Sequence, residues 1–228
     1  MGMKNRWFIT GDIHGNFTCI LDFIEKFNLG EGDNIIIVGD VALAWRKDKR
    51  DYNLNIQQYE KWCNGVHLYW IDGNHENFDI IKSWNCGNQI YNNSEHIHYC
   101  PRGYVLNING KKALCMGGAD SVDKFRRTEH FTWWQDETIT DNDIKGISGH
   151  YDYVFTHCCP LSLFNENKVY LCTLTNINEE NAIHKSEETL EKLKNNITYD
   201  NWIWGHYHID KKIDNKHTCL YNDFIEIE

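Results

Sequence analysis

Proline is scarce: the 228 residues contain two, Pro101 and Pro160. With no repeat, low-complexity tract or linker composition either, the chain reads as one domain spanning 1–228, a length that buries one good core. No apolar run is long enough to cross a membrane, and no secretory-type hydrophobic region opens the sequence. The nine cysteines include no Cys-x-x-Cys pair and are odd in number. This speaks against a disulfide framework or a zinc ribbon and for reduced thiols in a cytoplasmic protein. Positive charge is also in deficit, 23 Lys and Arg against 33 Asp and Glu, a net charge of −10. That disfavours extended, sequence-independent nucleic-acid binding, while leaving room for a nucleotide or a nucleic-acid end held by metal ions. No coiled-coil or interface pattern specifies an oligomeric state.

What is abundant is aromatic: nine Trp and twelve Tyr, which suit thick packing. The chain is organised around Gly11-Asp12-Ile13-His14-Gly15. Trp7–Thr10 runs into it as a strand, and Phe17, Ile20, Leu21, Ile24 and Phe27 leave it at helical spacing. Asn34–Val38, apolar on both faces as in a covered sheet, ends at Gly39-Asp40. A charged loop at residues 45–51, of which 46–51 read as a solvated run, precedes a helix expected near 52–63. Val66–Ile71 is the third strand and delivers Asp72-Gly73-Asn74-His75-Glu76. This strand–motif–helix rhythm places chemistry at the carboxyl ends of strands.

Further along, residues 89–117 read as short strands, with a hairpin at Asn109-Gly110. A loop-rich segment through Asp136 is followed by a short helix expected near 141–145. A strand at Tyr153–Thr156 ends at His157, and a charged helix is expected near 179–195. Trp202–Trp204 ends at Gly205-His206-Tyr207-His208, and a last strand is expected at Phe224–Ile227.

Two cations held about 3.5–4 Å apart need a bridging carboxylate and several further ligands. Asp40 can bridge, with one oxygen for each cation. Asp12, His14 and His208 can complete one position; Asn74, His157 and His206 can complete the other. Mixed oxygen and imidazole donors suit manganese, iron, nickel or zinc better than calcium or magnesium. His75, next to Asn74, projects beside the metals, where it can protonate a leaving alkoxide or bind a phosphate oxygen. Cys158 and Cys159 read as buried small hydrophobes. His96-Ile97-His98 and Gly149-His150-Tyr151-Asp152 imitate the terminal motif; the first sits in a strand-like run, and the second precedes its strand. His67, His130, His184 and His217 have no motif context.

The segments Gly11–Gly15, Gly39-Asp40, Gly73–Glu76, His157 and Gly205–His208 resemble the calcineurin-like metallophosphoesterase superfamily. Residues 117–124, Gly-Gly-Ala-Asp-Ser-Val-Asp-Lys, are similar to a stretch in its small bacterial and phage members. The resemblance implies an α/β fold, a four-layer α/β/β/α sandwich of two mixed sheets flanked by helices, with a dinuclear site at one end. It also implies in-line hydrolysis of a phosphate ester by metal-bound hydroxide. Where the protein Ser/Thr phosphatase branch continues its second motif with an acid and Arg-Gly, this chain has Leu43, Ala44 and Trp45. The phosphate-gripping arginine is missing there, and Arg46 or the Lys124/Arg127 cluster is left to replace it. The expected substrate is therefore a phosphodiester or a small phosphate ester, with a phosphomonoester or phosphoprotein as the alternative. A nuclease rests on the same metals, and a non-catalytic binding scaffold on the same fold is the reading from another class.

Overall fold

The first three strand–helix units fold in the expected alternation. β1 (Trp7–Thr10), β2 (Asn34–Ile37) and β3 (His67–Trp70) run parallel, connected through α1 (Phe17–Lys26) and α2 (Arg50–Trp62). The computed structural model describes residues 5–171 and 185–228. After β3 come α3 (Phe78–Ser83), β4 (Tyr91–Asn92) and β5 (Ile97–Tyr99); β12 (Ile225–Ile227) closes the chain. The first sheet has the order β12-β1-β2-β3-β5-β4, antiparallel at both edges and parallel within.

β6 (Val105–Ile108), β7 (Lys111–Met116), β8 (Gly149–Thr156), β9 (Ile197–Trp204), β10 (Lys211–Lys212) and β11 (His217–Cys219) build the second sheet. Its order is β10-β11-β9-β8-β7-β6, again antiparallel only at the edges. α4 (Leu161–Leu171) and α5 (Lys185–Asn196) accompany it. Asn109 and Gly110 make the two-residue turn between β6 and β7 with φ of +52° and +94°, the left-handed pair that an Asn-Gly hairpin supplies.

Strand alternation sorts the apolar residues into three cores, and three cores make four layers. Trp7, Ile9, Ile36 and Val38 meet Cys115, Tyr153, Phe155 and Ile203 between the sheets. Phe8, Ile35 and Ile37 face the other way, onto Phe17, Ile20 and Ile24 of α1 and Tyr59 of α2. On the far side Leu114, Met116, Val154, Trp202 and Trp204 pack with Leu163 and Phe164 of α4 and with Leu190 and Leu193 of α5. β2 is thus apolar on both faces because both are covered; each buried isoleucine contributes about 1.5–3 kcal/mol. The architecture is an α/β/β/α sandwich of two mixed six-stranded sheets. No helix among the described residues is long and apolar enough to span a membrane.

The structure departs from the sequence reading in several places. Residues 141–146 form turns instead of a helix, with the Asp143 carboxylate accepting both the Thr140 N–H and its hydroxyl. Gly149–Asp152 do not precede β8 but begin it, since main-chain pairing to β9 continues past the buried section. β9 likewise starts at Ile197, five residues before the expected strand. α4 was not expected. Of the charged helix expected near 179–195, residues 179–184 lie outside the described residues.

Candidate metal centre

Loops from the carboxyl ends of strands in both sheets converge at one end of the sandwich. Asp12 and His14 follow β1, Asp40 follows β2, and Asn74 and His75 follow β3; His157 follows β8, and His206 and His208 follow β9. Four of these residues have left-handed backbones: His14 (φ +46°), Asp40 (+50°), His206 (+68°) and His208 (+52°). Each costs about 1–2 kcal/mol for a non-glycine residue, and local hydrogen bonds hold them there. The His14 N–H donates to the Asp40 carbonyl at 2.8 Å, and the His206 N–H to Asp12 Oδ1 at 3.0 Å. The motif glycines make room for the acids. A Cβ on Gly73 would strike Asp40 Oδ1, and one on Gly205 would strike Asp12 Oδ1.

The donor atoms gather in overlapping groups: Asp12, His14 and His208; His14, Asp40 and His75; Asp40, His157 and His206, the atoms of each lying within 4.8 Å of one another. Asp40 is shared between neighbouring groups. His14 Nε2 and His208 Nε2 stand 3.0 Å apart, and Asp12 Oδ2 lies 3.9 and 3.3 Å from them. The buried ring of His157 donates from Nδ1 to the Val38 carbonyl at 2.8 Å. Its Nε2 then faces Asp40 Oδ1 at 3.2 Å and Asn74 Oδ1 at 3.3 Å. A neutral ring protonated on Nδ1 has no hydrogen for those two oxygens.

That spot calls for positive charge, and the electrostatics point the same way. Burial opposes a charged His157, but Asp40 and Asp12 outweigh it and push the ring up to about 10. Burial likewise opposes ionisation of Asp40, yet His157, with His75 and His14, holds its carboxyl well below the usual range. His206 is driven the other way: burial, reinforced by His157, keeps its ring neutral. Ionised carboxylates, an amide oxygen and imidazole nitrogens aimed at shared points are a donor set that fits divalent cations.

A calcineurin-like phosphoesterase family model matches residues 6–210. The chain belongs to that family. Its members are metal-dependent hydrolytic phosphoesterases, and the matched span contains every donor above. Among curated proteins, none matches the chain significantly.

The chain orients Asn74 through a relay that the sequence did not disclose. Asn74 Nδ2 donates to Ser121 Oγ at 3.2 Å, and Ser121 Oγ donates to Glu137 Oε2 at 2.8 Å. The Ser121 N–H and Trp133 Nε1 both donate to Glu137 Oε1, at 2.6 and 2.8 Å. The amide nitrogen is thereby engaged and the amide oxygen turned toward His157. Burial pushes the Glu137 carboxyl up to about 7 against the pull of those donors. Ser121 lies in the Gly-Gly-Ala-Asp-Ser stretch, a usable signal; Glu137 has none. Glu137→Gln replaces one acceptor oxygen by a donor, which turns Ser121 and breaks the relay. Metal affinity or turnover should fall by about 10–100-fold, the usual cost of losing such an outer partner; metal titration of the variant checks it, and unchanged affinity and turnover would refute the relay.

A further acid couples the second motif to the third. Glu76 Oε1 accepts the N–H groups of Val41 and Ala42 at 2.8 and 3.2 Å, and burial, reinforced by Asp40, raises its carboxyl well above the usual range.

His75 is set beside the donors by its own N–H, which donates to Asp40 Oδ1 at 2.7 Å. Its Nε2 accepts from Arg127 Nη2 at 3.1 Å, and Asp123 Oδ1 holds Arg127 Nε at 2.7 Å. Arg127 therefore reaches the centre, whereas Lys124 extends over the Trp133 ring. Trp45 stacks on His75 with ring centroids 5.7 Å apart. Arg46 lines the same groove as His14 and His75, so the stretch 46–51 is not only a solvated charge run.

The imitating motifs lie elsewhere. His98 Nε2 faces His67 Nδ1 at 2.8 Å, and His96 Nδ1 faces Glu60 Oε2 at 2.7 Å, near the start of β3. His150 lies close to Asp200 across β8 and β9. His130 pairs with Asp79 and His217 with Asp214; His184 lies outside the described residues. Cys158 and Cys159 are fully buried, and burial raises both thiols far above their ordinary value.

Proposed function

We propose that the chain hydrolyses phosphodiesters or small phosphate esters with two divalent cations, manganese foremost, at this centre. The convergence of seven donors at the carboxyl ends of both sheets carries the reading. Asp12, His14 and His208 would hold one cation, Asn74, His157 and His206 the other, and Asp40 would reach both. Such cations neutralise phosphoryl charge and lower the pKa of a water. His75 and Arg127 are the chain's own contribution to the substrate. In their present contact the imidazole is the acceptor, and burial, opposed by Asp40 and aided by Arg127, lowers its pKa. A phosphate entering between them draws the guanidinium N–H onto its own oxygen, and its negative charge favours the imidazolium. The protonated ring can then deliver its proton to the leaving oxygen as the P–O bond breaks.

The diester preference rests on charge. Leu43, Ala44 and Trp45 bring no cation to the centre, which leaves Arg127, itself paired with Asp123, to meet the phosphate, and a diester needs less neutralisation than a monoester dianion. Paired nitrophenyl mono- and diester substrates given to metal-stripped, manganese-restored protein test this directly. Faster diester turnover is the expected result; a faster monoester overturns the preference, and turnover of neither overturns the activity.

His75→Ala is expected to keep its metal while losing about 10²–10⁴-fold in turnover of alkyl esters, the span of general acid catalysis. Nitrophenyl esters, whose leaving group needs no proton, should lose far less. Equal losses across leaving groups would remove the general-acid role.

A further inference from the structure

Trp45 is held with unusual care for a half-buried aromatic in a charged loop. The Asp51 carboxylate accepts the N–H groups of Trp45 and Arg46 at 2.7 and 2.8 Å. Asn77 Nδ2 donates to the Trp45 carbonyl at 3.0 Å, and Asn55 Nδ2 to the Leu43 carbonyl at 3.2 Å. The ring's edge abuts buried Trp134, with centroids 5.7 Å apart at 79°. Three polar side chains from α2 and the cap of α3 thus fix the main chain around Trp45, whose indole stacks on His75.

The space beside that indole is a groove of about 600 Å³ that also borders His14, His75, Arg46 and Leu54, large enough for a nucleotide. Leu54 projects into solvent with 64% of its surface exposed, on the face of α2 that borders the groove. Trp45 and Arg46 also border a second groove that contains Phe131, itself 67% exposed. A single exposed apolar side chain is ordinary, whereas apolar groups gathered round a groove mark a binding surface. Here two of them flank the indole beside the candidate centre, and Arg46 gives the same grooves positive charge.

We infer that the groove bounded by Trp45 and Leu54 binds the leaving group of the substrate, and that this leaving group is a nucleoside whose base stacks on Trp45. The inference rests on the phosphoesterase reading above and names its substrate class. The geometry suits it. His75 lies between the donors and the indole, so a phosphate at the centre places its esterified oxygen toward His75 and the attached nucleoside along the groove. Hydrolysis then adds a water oxygen to phosphorus, breaks the bond to the nucleoside oxygen and releases the nucleoside as its alcohol. Trp45 acts here as a specificity-determining residue: stacking tolerates any base, because every base has a π-face.

Calorimetric titration of the manganese-loaded protein with the phosphonate analogues of adenosine 5′-monophosphate and ribose 5-phosphate, in which CH2 replaces the ester oxygen so that neither is hydrolysed, and with inorganic phosphate tests the inference. A base stacked on an aromatic contributes about 1–3 kcal/mol, so the nucleotide analogue should bind about tenfold more tightly than the sugar analogue, or better. In Trp45→Ala that ratio should fall to within about twofold, and Trp45→Phe should restore most of it, since a phenyl ring also stacks. Leu54→Ser, at an exposed position that does not threaten folding, should lower the ratio about threefold, as loss of a small apolar contact would. Equal binding of the two analogues by the wild type overturns the inference, and so does a ratio that survives in Trp45→Ala. In both cases inorganic phosphate still binds, and the phosphoesterase reading stands. Failure of inorganic phosphate to bind overturns that reading and the inference with it.

Discussion

Asp40→Asn should fold and yet lose nearly all activity. Asparagine keeps the volume, and its Oδ1 can still accept the His75 N–H that Asp40 Oδ1 accepts at 2.7 Å. Two things change. The charge that supports His157 disappears, and one of the two oxygens becomes an amide nitrogen that cannot serve a second cation. On the proposed dinuclear reading, in which Asp40 would connect the two positions, manganese content should drop from about two per chain to one or fewer. A lost cation removes several kcal/mol of transition-state stabilisation; about 4 kcal/mol corresponds to roughly a thousandfold in turnover. Elemental analysis beside diester kinetics reads both effects. Two retained metals would show that Asp40 is no bridge, and near-normal turnover with one metal would show that the centre works as a mononuclear site.

The candidate donors stood out in the sequence because each sits within a few residues of a strand's carboxyl end, and Asp12, His14, Asp40, Asn74 and His206 each adjoin a glycine, which His157 does not. Gly73 and Gly205 make room for Asp40 and Asp12. The four layers were legible only through resemblance; the apolar pattern of Asn34–Val38 says that both faces are covered, not by what. The residues behind the donors left little trace. Glu137 reaches Ser121 across a separation of 16 residues, within a segment of turns, and no periodicity marks such a contact. Trp45 was hidden by its neighbours: Arg46, Lys47, Asp48, Lys49, Arg50 and Asp51 read as a solvated run. The structure uses Asp51 to cap the Trp45 and Arg46 amides instead. Where a short helix was expected near 141–145, the chain makes a run of turns instead.

The largest effect on stability is expected from Arg102, which carries no motif at all. Its Nε and Nη2 donate to Asp72 Oδ2 at 2.9 and 2.7 Å, and Tyr99 donates its hydroxyl to Asp72 Oδ1 at 2.9 Å. The other guanidinium hydrogens reach the carbonyls of Asp136, Glu137 and Thr138 at 2.9, 3.0 and 3.1 Å. Arg102 therefore ties the root of the third motif to the segment that carries Glu137. Arg102→Met fills much of the same space but strands the Asp72 charge and three carbonyls. Removing one partner of a buried pair costs about 3–5 kcal/mol, which for a domain of this size lowers Tm by about 6–20 °C. Turnover by the folded protein should fall as well, by about 10–100-fold, because Glu137 then no longer fixes Ser121 and Asn74. The double variant Asp72→Asn/Arg102→Met separates the causes. It removes the stranded charge and should recover about half of the lost stability, the remainder being the unpaired carbonyls. If the double variant melts no higher than Arg102→Met, the carbonyl contacts outweigh the ion pair in holding Glu137's segment. If Arg102→Met melts like the wild type, the pair is dispensable and the segment is held by its packing alone.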